Sequence, residues 1–217
     1  MRIDVKKTKV YLISPATGKY TERCMTVFRR LVTAGFSNIV FQRAIQDHSG
    51  TNSLTRTNLE IFRKEVNSNE PFIIMEDDCA LWNDYDTIEI PDNADAVYLG
   101  VSLWIYPHPY DTLNKGYHIR ENTPADILSV DDQLTKINGM TSTHAILFLD
   151  RLYIINFIQR MERLLANTTP HDLVFATMHP SSRVYALKKP MFYQDASIGG
   201  QEDVTRLQYN GQTYRRA

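Results

Sequence analysis

Nine consecutive residues, Pro71-Phe72-Ile73-Ile74-Met75-Glu76-Asp77-Asp78-Cys79, join an apolar run to three adjacent carboxylates. Four apolar residues after a proline read as a short buried strand, and a buried strand cannot run on through three acids unless something neutralises them. A hard divalent cation, Mg2+ or Mn2+, is a natural neutraliser for carboxylate oxygens. At the C-terminal end of a strand in an α/β sheet such a cation sits in the crevice where substrates bind. A polar strand end facing water, or a helix cap, is the competing reading of the triplet.

The elements that must position the triplet alternate in type. Lys9 to Ile13 is a strand pattern closed by the turn residues Ser14-Pro15-Ala16-Thr17-Gly18. A helix capped by Thr21 follows, with Met25, Phe28, Leu31 and Val32 at helical spacing and Gly35 as its stop. Asn38 to Gln42 is a second strand, and Thr51 to Val66 a second helix with Leu54, Leu59, Ile61, Phe62 and Val66 as its apolar positions. The strand into Glu76 comes third. This alternation predicts an α/β fold with a mostly parallel central sheet covered by helices on both faces. Asp95 to Gly100 adds a fourth strand.

Residues 102 to 129 hold Trp104, Tyr106, His108 and Tyr110 without clear period, the pattern of a long functional loop or of small inserted elements over an active site. Gln133 to Ile137 and Thr143 to Leu149 are strand-like around Asn138-Gly139, and Asp150 to Ala166 is an amphipathic helix. Thr169-Pro170-His171-Asp172 reads as a helix start, with Thr169 as cap and Pro170 at the first helical position. Arg183 to Leu187 is a last strand. With no internal repeat and no linker pattern, one domain over residues 1–217 is the economical division, its first hundred residues forming one half and the remainder the other.

The 24 basic and 25 acidic residues nearly cancel, so the net charge of −1 gives no general attraction to nucleic acid or anionic membranes. No apolar run approaches a membrane span and the first residues lack an apolar signal core, so the expectation is a protein soluble where it is made. Cys24 and Cys79 lie far apart without a CxxC and read as buried thiols in a reducing compartment.

Taken in order, Arg23, Gly35, Ala44-Ile45, Ile73 to Asp78 and Val97-Tyr98-Leu99-Gly100 resemble the family 25 glycosyltransferases, the lipooligosaccharide and procollagen galactosyltransferase group. Gly139, Thr143 to Leu147, the His171-Asp172 pair, Val184 to Leu187 before Pro190, and Gln194 with Ser197 extend the resemblance over roughly residues 8 to 200. Leu54-Thr55-Arg56 stands where the family usually carries a Ser-His pair, Ile13-Ser14 where it has Asn-Leu, and Leu173 where the Asp is often doubled.

The resemblance implies a single GT-A (Rossmann-like) domain. It also implies an inverting, metal-dependent transfer of a hexose from a nucleoside diphosphate sugar, a UDP-sugar by expectation, to a hydroxyl of a glycan or glycoconjugate. In that frame Asp78 is the metal ligand, and Glu76 and Asp77 face the donor or support the metal. Arg23 pairs with the pyrophosphate, while Ser14, Pro15 and Ala16 line the nucleotide through their backbone. Asp172 becomes the general base, since an inverting transfer needs a carboxylate to take the acceptor proton. Trp104, Tyr106, His171 and Gln194 fall on the acceptor side. His144, inside a strand-like run, reads as a core or edge histidine. The rival functions are a metal-dependent phosphoester hydrolase and a non-catalytic carbohydrate-binding protein of the same fold. A nucleic acid acceptor is disfavoured by the charge balance, and the expected location is the cytoplasm of a bacterial or virus-infected cell.

Overall fold

The computed structural model describes residues 1–15, 17–68, 70–100, 132–137, 139–141, 143–165 and 170–200, with the backbone of 128–129, 208–209 and 212–213. Its elements are β1 (Arg2–Asp4), β2 (Lys9–Ser14), α1 (Lys19–Thr33), β3 (Ile39–Arg43), α2 (Gly50–Glu65), β4 (Phe72–Glu76), β5 (Cys79–Leu81), β6 (Thr87–Glu89) and β7 (Ala96–Tyr98). The second half adds β8 (Leu128–Ser129), β9 (Leu134–Lys136), β10 (Ala145–Phe148), α3 (Arg151–Leu164), α4 (His171–Met178), β11 (Val184–Leu187), β12 (Phe192–Gln194), β13 (Gln208–Tyr209) and β14 (Gln212–Thr213).

Eight strands form one sheet in the order β3-β2-β4-β10-β7-β11-β9-β8. The β2–β3, β2–β4 and β7–β11 pairs are parallel, and β10 runs antiparallel to both β4 and β7. The sheet is therefore mixed rather than mostly parallel. β10 enters between two strands that share a direction and runs against both, so that its first residue, Ala145, pairs with Met75 near the acidic end of β4. As a mixed sheet flanked by helices, the architecture is compatible with a Rossmann-like arrangement.

Residues alternate strictly between two cores. Tyr11, Ile13, Phe72, Ile74, Tyr98, Ile146, Phe148, Val184 and Ala186 face one side, where α2, α3 and α4 bring Leu59, Phe62, Phe157, Met161 and Phe175. Val10, Leu12, Ile73, Met75, Val97, Leu147, Tyr185 and Leu187 face the other, against Cys24, Val27 and Leu31 of α1 and the small β1–β6 and β5–β12 ribbons. Period-2 side-chain alternation lets strands as short as four residues serve both cores at once.

Several helix details differ from expectation. Helix α1 begins at Lys19 with Gly18 in the capping position, three residues before Thr21. Its buried stripe is Cys24, Val27 and Leu31, while Met25 and Val32, one position further on, are turned away from the sheet and exposed. Gly35 does end it, in the left-handed conformation with φ 93° that glycine adopts without strain. Helix α3 is capped by Asp150, whose Oδ1 accepts from the Tyr153 N–H at 2.7 Å. Pro170 is itself the capping residue of α4 rather than its first helical residue, because its ψ of 139° is extended; Thr169 lies outside the described residues.

Phe62 sits at the centre of the helical-side core, fully buried, with ring centroids of Phe148 and Phe157 each 4.9 Å away and Phe72 and Phe175 each 6.0 Å away. Removing such a ring leaves a cavity that rigid strands on one side cannot fill. Phe62→Ala is expected to lower unfolding free energy by about 3–5 kcal/mol in denaturant titration. Leu152→Ala, at a position 68% exposed, is expected to change it by no more than about 0.5 kcal/mol.

Candidate functional site

Strand β4 is apolar and buried from Phe72 to Met75, then delivers Glu76 at its last position and Asp77-Asp78 in the turn before β5. The turn lies at the edge of the sheet where β2 ends at Ser14 and where antiparallel β10 begins. Glu76 N–H donates to the His144 carbonyl at 2.9 Å, holding the two chains together one step past the ladder. Asp77 and Asp78 are nevertheless only 7% and 6% exposed. Asp77 and Asp78 are thus buried with Glu76 half-buried beside them, and the reading of a strand end open to water does not hold.

Arg23, on the first turns of α1, meets this cluster directly. Its Nη2 lies 2.8 Å from Asp77 Oδ1 and 3.4 Å from Asp78 Oδ2. The Ser14 hydroxyl is 3.5 Å from Asp77 Oδ2 and 3.2 Å from the Tyr20 carbonyl, and its one proton can serve only one of them at a time. Gln194 donates from Nε2 to Asp78 Oδ2 at 3.3 Å, because β12 pairs with β5 so that Gln194 stands opposite Cys79. The Asp195 N–H donates to the Asp78 carbonyl at 2.7 Å. The remaining oxygen, Asp78 Oδ1, is buried with no hydrogen-bond partner among the described residues.

Glu76 connects the cluster to the second half of the chain. Thr143 Oγ1 is 3.2 Å from Glu76 Oε1 and 2.7 Å from His171 Nε2. When Glu76 is ionised, the single Thr143 proton goes to it, and His171 must then present an Nε2–H to Thr143. His171 is 4% exposed, and burial holds its pKa below the ordinary value, so the ring is neutral near pH 7. Asp172 follows in the first turn of α4 and accepts from the Leu173 N–H at 2.9 Å.

The carboxylates do not ionise independently. Burial pushes Glu76 up to about 8, and the charges of Asp78, Asp172 and Asp77 add to that shift against the Thr143 hydrogen bond. Asp77 rises to about 6, burial outweighing Arg23. Asp78 is also raised, again chiefly by burial. One guanidinium is therefore too little positive charge for the cluster. The donor set fits a hard divalent cation: all oxygen, crowded, under-neutralised, and with one buried carboxylate oxygen unsatisfied. Among the described residues no three Asp, Glu, His or Cys side chains are already drawn together in the geometry of a metal cage.

The expected site residues therefore divide. Ser14, Arg23, Glu76, Asp77, Asp78, His171, Asp172 and Gln194 gather at one edge of the sheet, and Pro15 follows Ser14 there. Arg23 is neither a solvated helix arginine nor turned toward open space; it is held by the aspartates. Ala16, Trp104, Tyr106, His108 and Tyr110 lie outside the described residues. His144 is a core histidine, 1% exposed, with burial lowering it to about 4. Thr143 was not anticipated as a site residue; only its place at the start of an apolar run antiparallel to β4 marks it. Both cysteines are buried and free, as expected. A cavity of about 230 Å³, floored by Phe72, Phe148 and Ile154 and rimmed by Glu70, Asp150 and Arg151, lies at the opposite end of β4, away from the triplet.

Compared with known proteins, the chain matches no family model and no curated protein. No helix of the described residues is long and apolar enough to cross a membrane.

The raised carboxyl pKa values fix a direction for pH dependence. Glu76 titrates at about 8 folded against 4.5 unfolded, so its contribution to stability is full below 4.5 and is lost as pH rises through about 8. His144, depressed to about 4, and His179, to about 3, act in the opposite sense: their contribution is full above 6.5 and is lost as pH falls through those values. In chelator, the melting temperature is expected to fall between pH 6 and 8, and Glu76→Gln to flatten that limb while leaving the acid limb in place. An unchanged alkaline slope in the Gln variant would remove Glu76 from this role.

Proposed function

We propose that the chain is a metal-dependent, inverting glycosyltransferase of GT-A type that moves a hexose from a nucleoside diphosphate sugar, with UDP as the nucleotide, to a hydroxyl of a glycan or glycoconjugate. The observation that carries this reading is the under-neutralised triplet Glu76-Asp77-Asp78 at the strand ends, with Asp77 and Asp78 buried, an Asp78 oxygen unsatisfied and Asp172 brought near through Thr143 and His171. The resemblance to the family 25 glycosyltransferases supplies the substrate class.

In this reading Asp78 holds the cation, assisted by Asp77, and the cation would neutralise the diphosphate as the bond to the sugar breaks. Ser14 and Pro15 end β2 where a nucleotide lies across a sheet of this kind. Asp172 sits in the first turn of α4, beside His171 and the Thr143 bridge to Glu76. From there it takes the proton of the acceptor hydroxyl while that oxygen attacks the anomeric carbon from the face opposite the leaving group. Gln194 orients Asp78 from the far side through its amide.

Two variants test the assignment. Asp78→Ala is expected to fold and to lose the increase in melting temperature that Mn2+ and UDP together give the wild type; a full increase in the variant would show that Asp78 is not the ligand. Asp172→Asn keeps shape and hydrogen-bond reach, so donor affinity is expected to persist while the transfer rate falls by about 10² to 10⁴. Transfer at the wild-type rate would move the base elsewhere. A product with the donor's own anomeric configuration by NMR would refute inversion. Phosphoester hydrolysis without any nucleotide sugar would favour a metal-dependent hydrolase.

A further inference from the structure

Arg23 is an unusual partner for two aspartates. One of its nitrogens, Nη2, serves both Asp77 and Asp78, at 2.8 and 3.4 Å, instead of the two-pronged pairing that a guanidinium makes best. Its Nε is buried with no hydrogen-bond partner among the described residues. The group is clamped on the outside: its central carbon is 5.2 Å from the Tyr20 ring centroid, one turn earlier on α1. On the other flank runs Gly199, in the left-handed region at φ 94°, where an added Cβ would stand 3.3 Å from Arg23 Nη1. The chain thus closes over the guanidinium with a residue that has no side chain. A single positive nitrogen thus stands against both carboxylates, the same two groups that would hold a divalent cation.

We propose that Arg23 is the built-in counter-cation of Asp77 and Asp78, that it would compete with a divalent cation for them, and that it would leave them when the cation binds. The inference rests on the metal reading above and deepens it. The guanidinium keeps the two aspartates buried and tolerably neutral in the metal-free protein, at the cost of weaker metal binding. Displaced, it presents its full fork, including the unpaired Nε–H, beside the cation at the end of β2. An anionic ligand such as a diphosphate arriving with the metal would find there a second positive group that the free protein keeps occupied. Arg23 therefore acts through the aspartates as a positioning residue, and its removal should help the metal bind rather than hinder it.

The test is Mn2+ binding without nucleotide, read from the free-ion electron paramagnetic resonance signal, for wild type, Arg23→Gln and Asp78→Asn. Losing a charge-assisted competitor is expected to tighten Mn2+ binding by roughly tenfold or more in Arg23→Gln. The same variant is expected to melt lower than wild type in chelator and to gain more from Mn2+. Asp78→Asn is expected to lose binding. Arg23→Lys keeps the charge and should stay close to wild-type affinity. Equal or weaker binding by Arg23→Gln overturns the competition while leaving the metal reading standing. No binding by either wild type or Arg23→Gln removes the metal reading and this inference with it. Should Arg23→Gln fail to fold, the wild type decides alone: on Mg2+ titration the Arg23 Nε–H resonance must move with the midpoint of the Asp77 and Asp78 amides. A stationary Nε–H while those amides titrate overturns the displacement.

Discussion

The burial of Asp77 and Asp78, with Glu76 half-buried beside them, at the end of one apolar strand is the constraint around which the surrounding elements are arranged. Water would solvate three carboxylates without help; a nearly dry site must supply charge and hydrogen bonds instead. The chain supplies them from four directions: Arg23 from α1, Ser14 from β2, Gln194 from β12 and Thr143 from the approach to β10. Each donor comes from a different element, so the cluster can form only after the sheet is assembled. Its polar contacts then tie α1, β4, β10 and β12 to one another.

Supply still falls short of demand. Arg23 offsets part of the charge, yet Asp77 and Asp78 remain harder to deprotonate than in water, and Glu76 is held up further by its acidic neighbours. A protein built only for stability would replace such a cluster with apolar residues of similar volume at little or no cost. An elsewhere well-packed fold that keeps this cluster under-neutralised has placed its electrostatic deficit where strand ends converge, which is where α/β folds bind ligands.

Much of the first half was legible in the sequence because its elements alternate and each carries one period. β2, β3, β4 and α2 fall within a residue or two of expectation, α1 starts three residues earlier than expected, and Gly35 stops α1 as its position required. The rotation of α1 was not legible, since Met25 and Val32 are better hydrophobes than Cys24 and spacing alone cannot choose between adjacent stripes. The direction of β10 was equally hidden. An apolar run of four residues fits a parallel or an antiparallel neighbour, and only the three-dimensional course of the chain selects one. The triplet itself was plain, because three acids on an apolar strand are a local conflict that only a site can resolve. Its partners were not, because Thr143, Gln194 and Arg23 reach it across 67, 116 and 54 or more residues of chain.

The antiparallel course of β10 is what makes the two halves one site. A parallel β10 would carry Thr143 to the opposite edge, beside Phe72, and leave Glu76 without its hydroxyl partner. Running as it does, β10 starts where β4 ends, and Thr143 bridges Glu76 to His171 at the head of α4. The same bridge sets Asp172 near enough that its charge raises Glu76. Charge at the head of α4 thus bears on ionisation in the β4 turn. A cation at Asp78 would ease the ionisation of Glu76, and an ionised Glu76 draws the Thr143 proton and requires the Nε2–H form of His171. The hydrogen-bonding state next to Asp172 is thus set from the other half of the chain, through a single threonine hydroxyl.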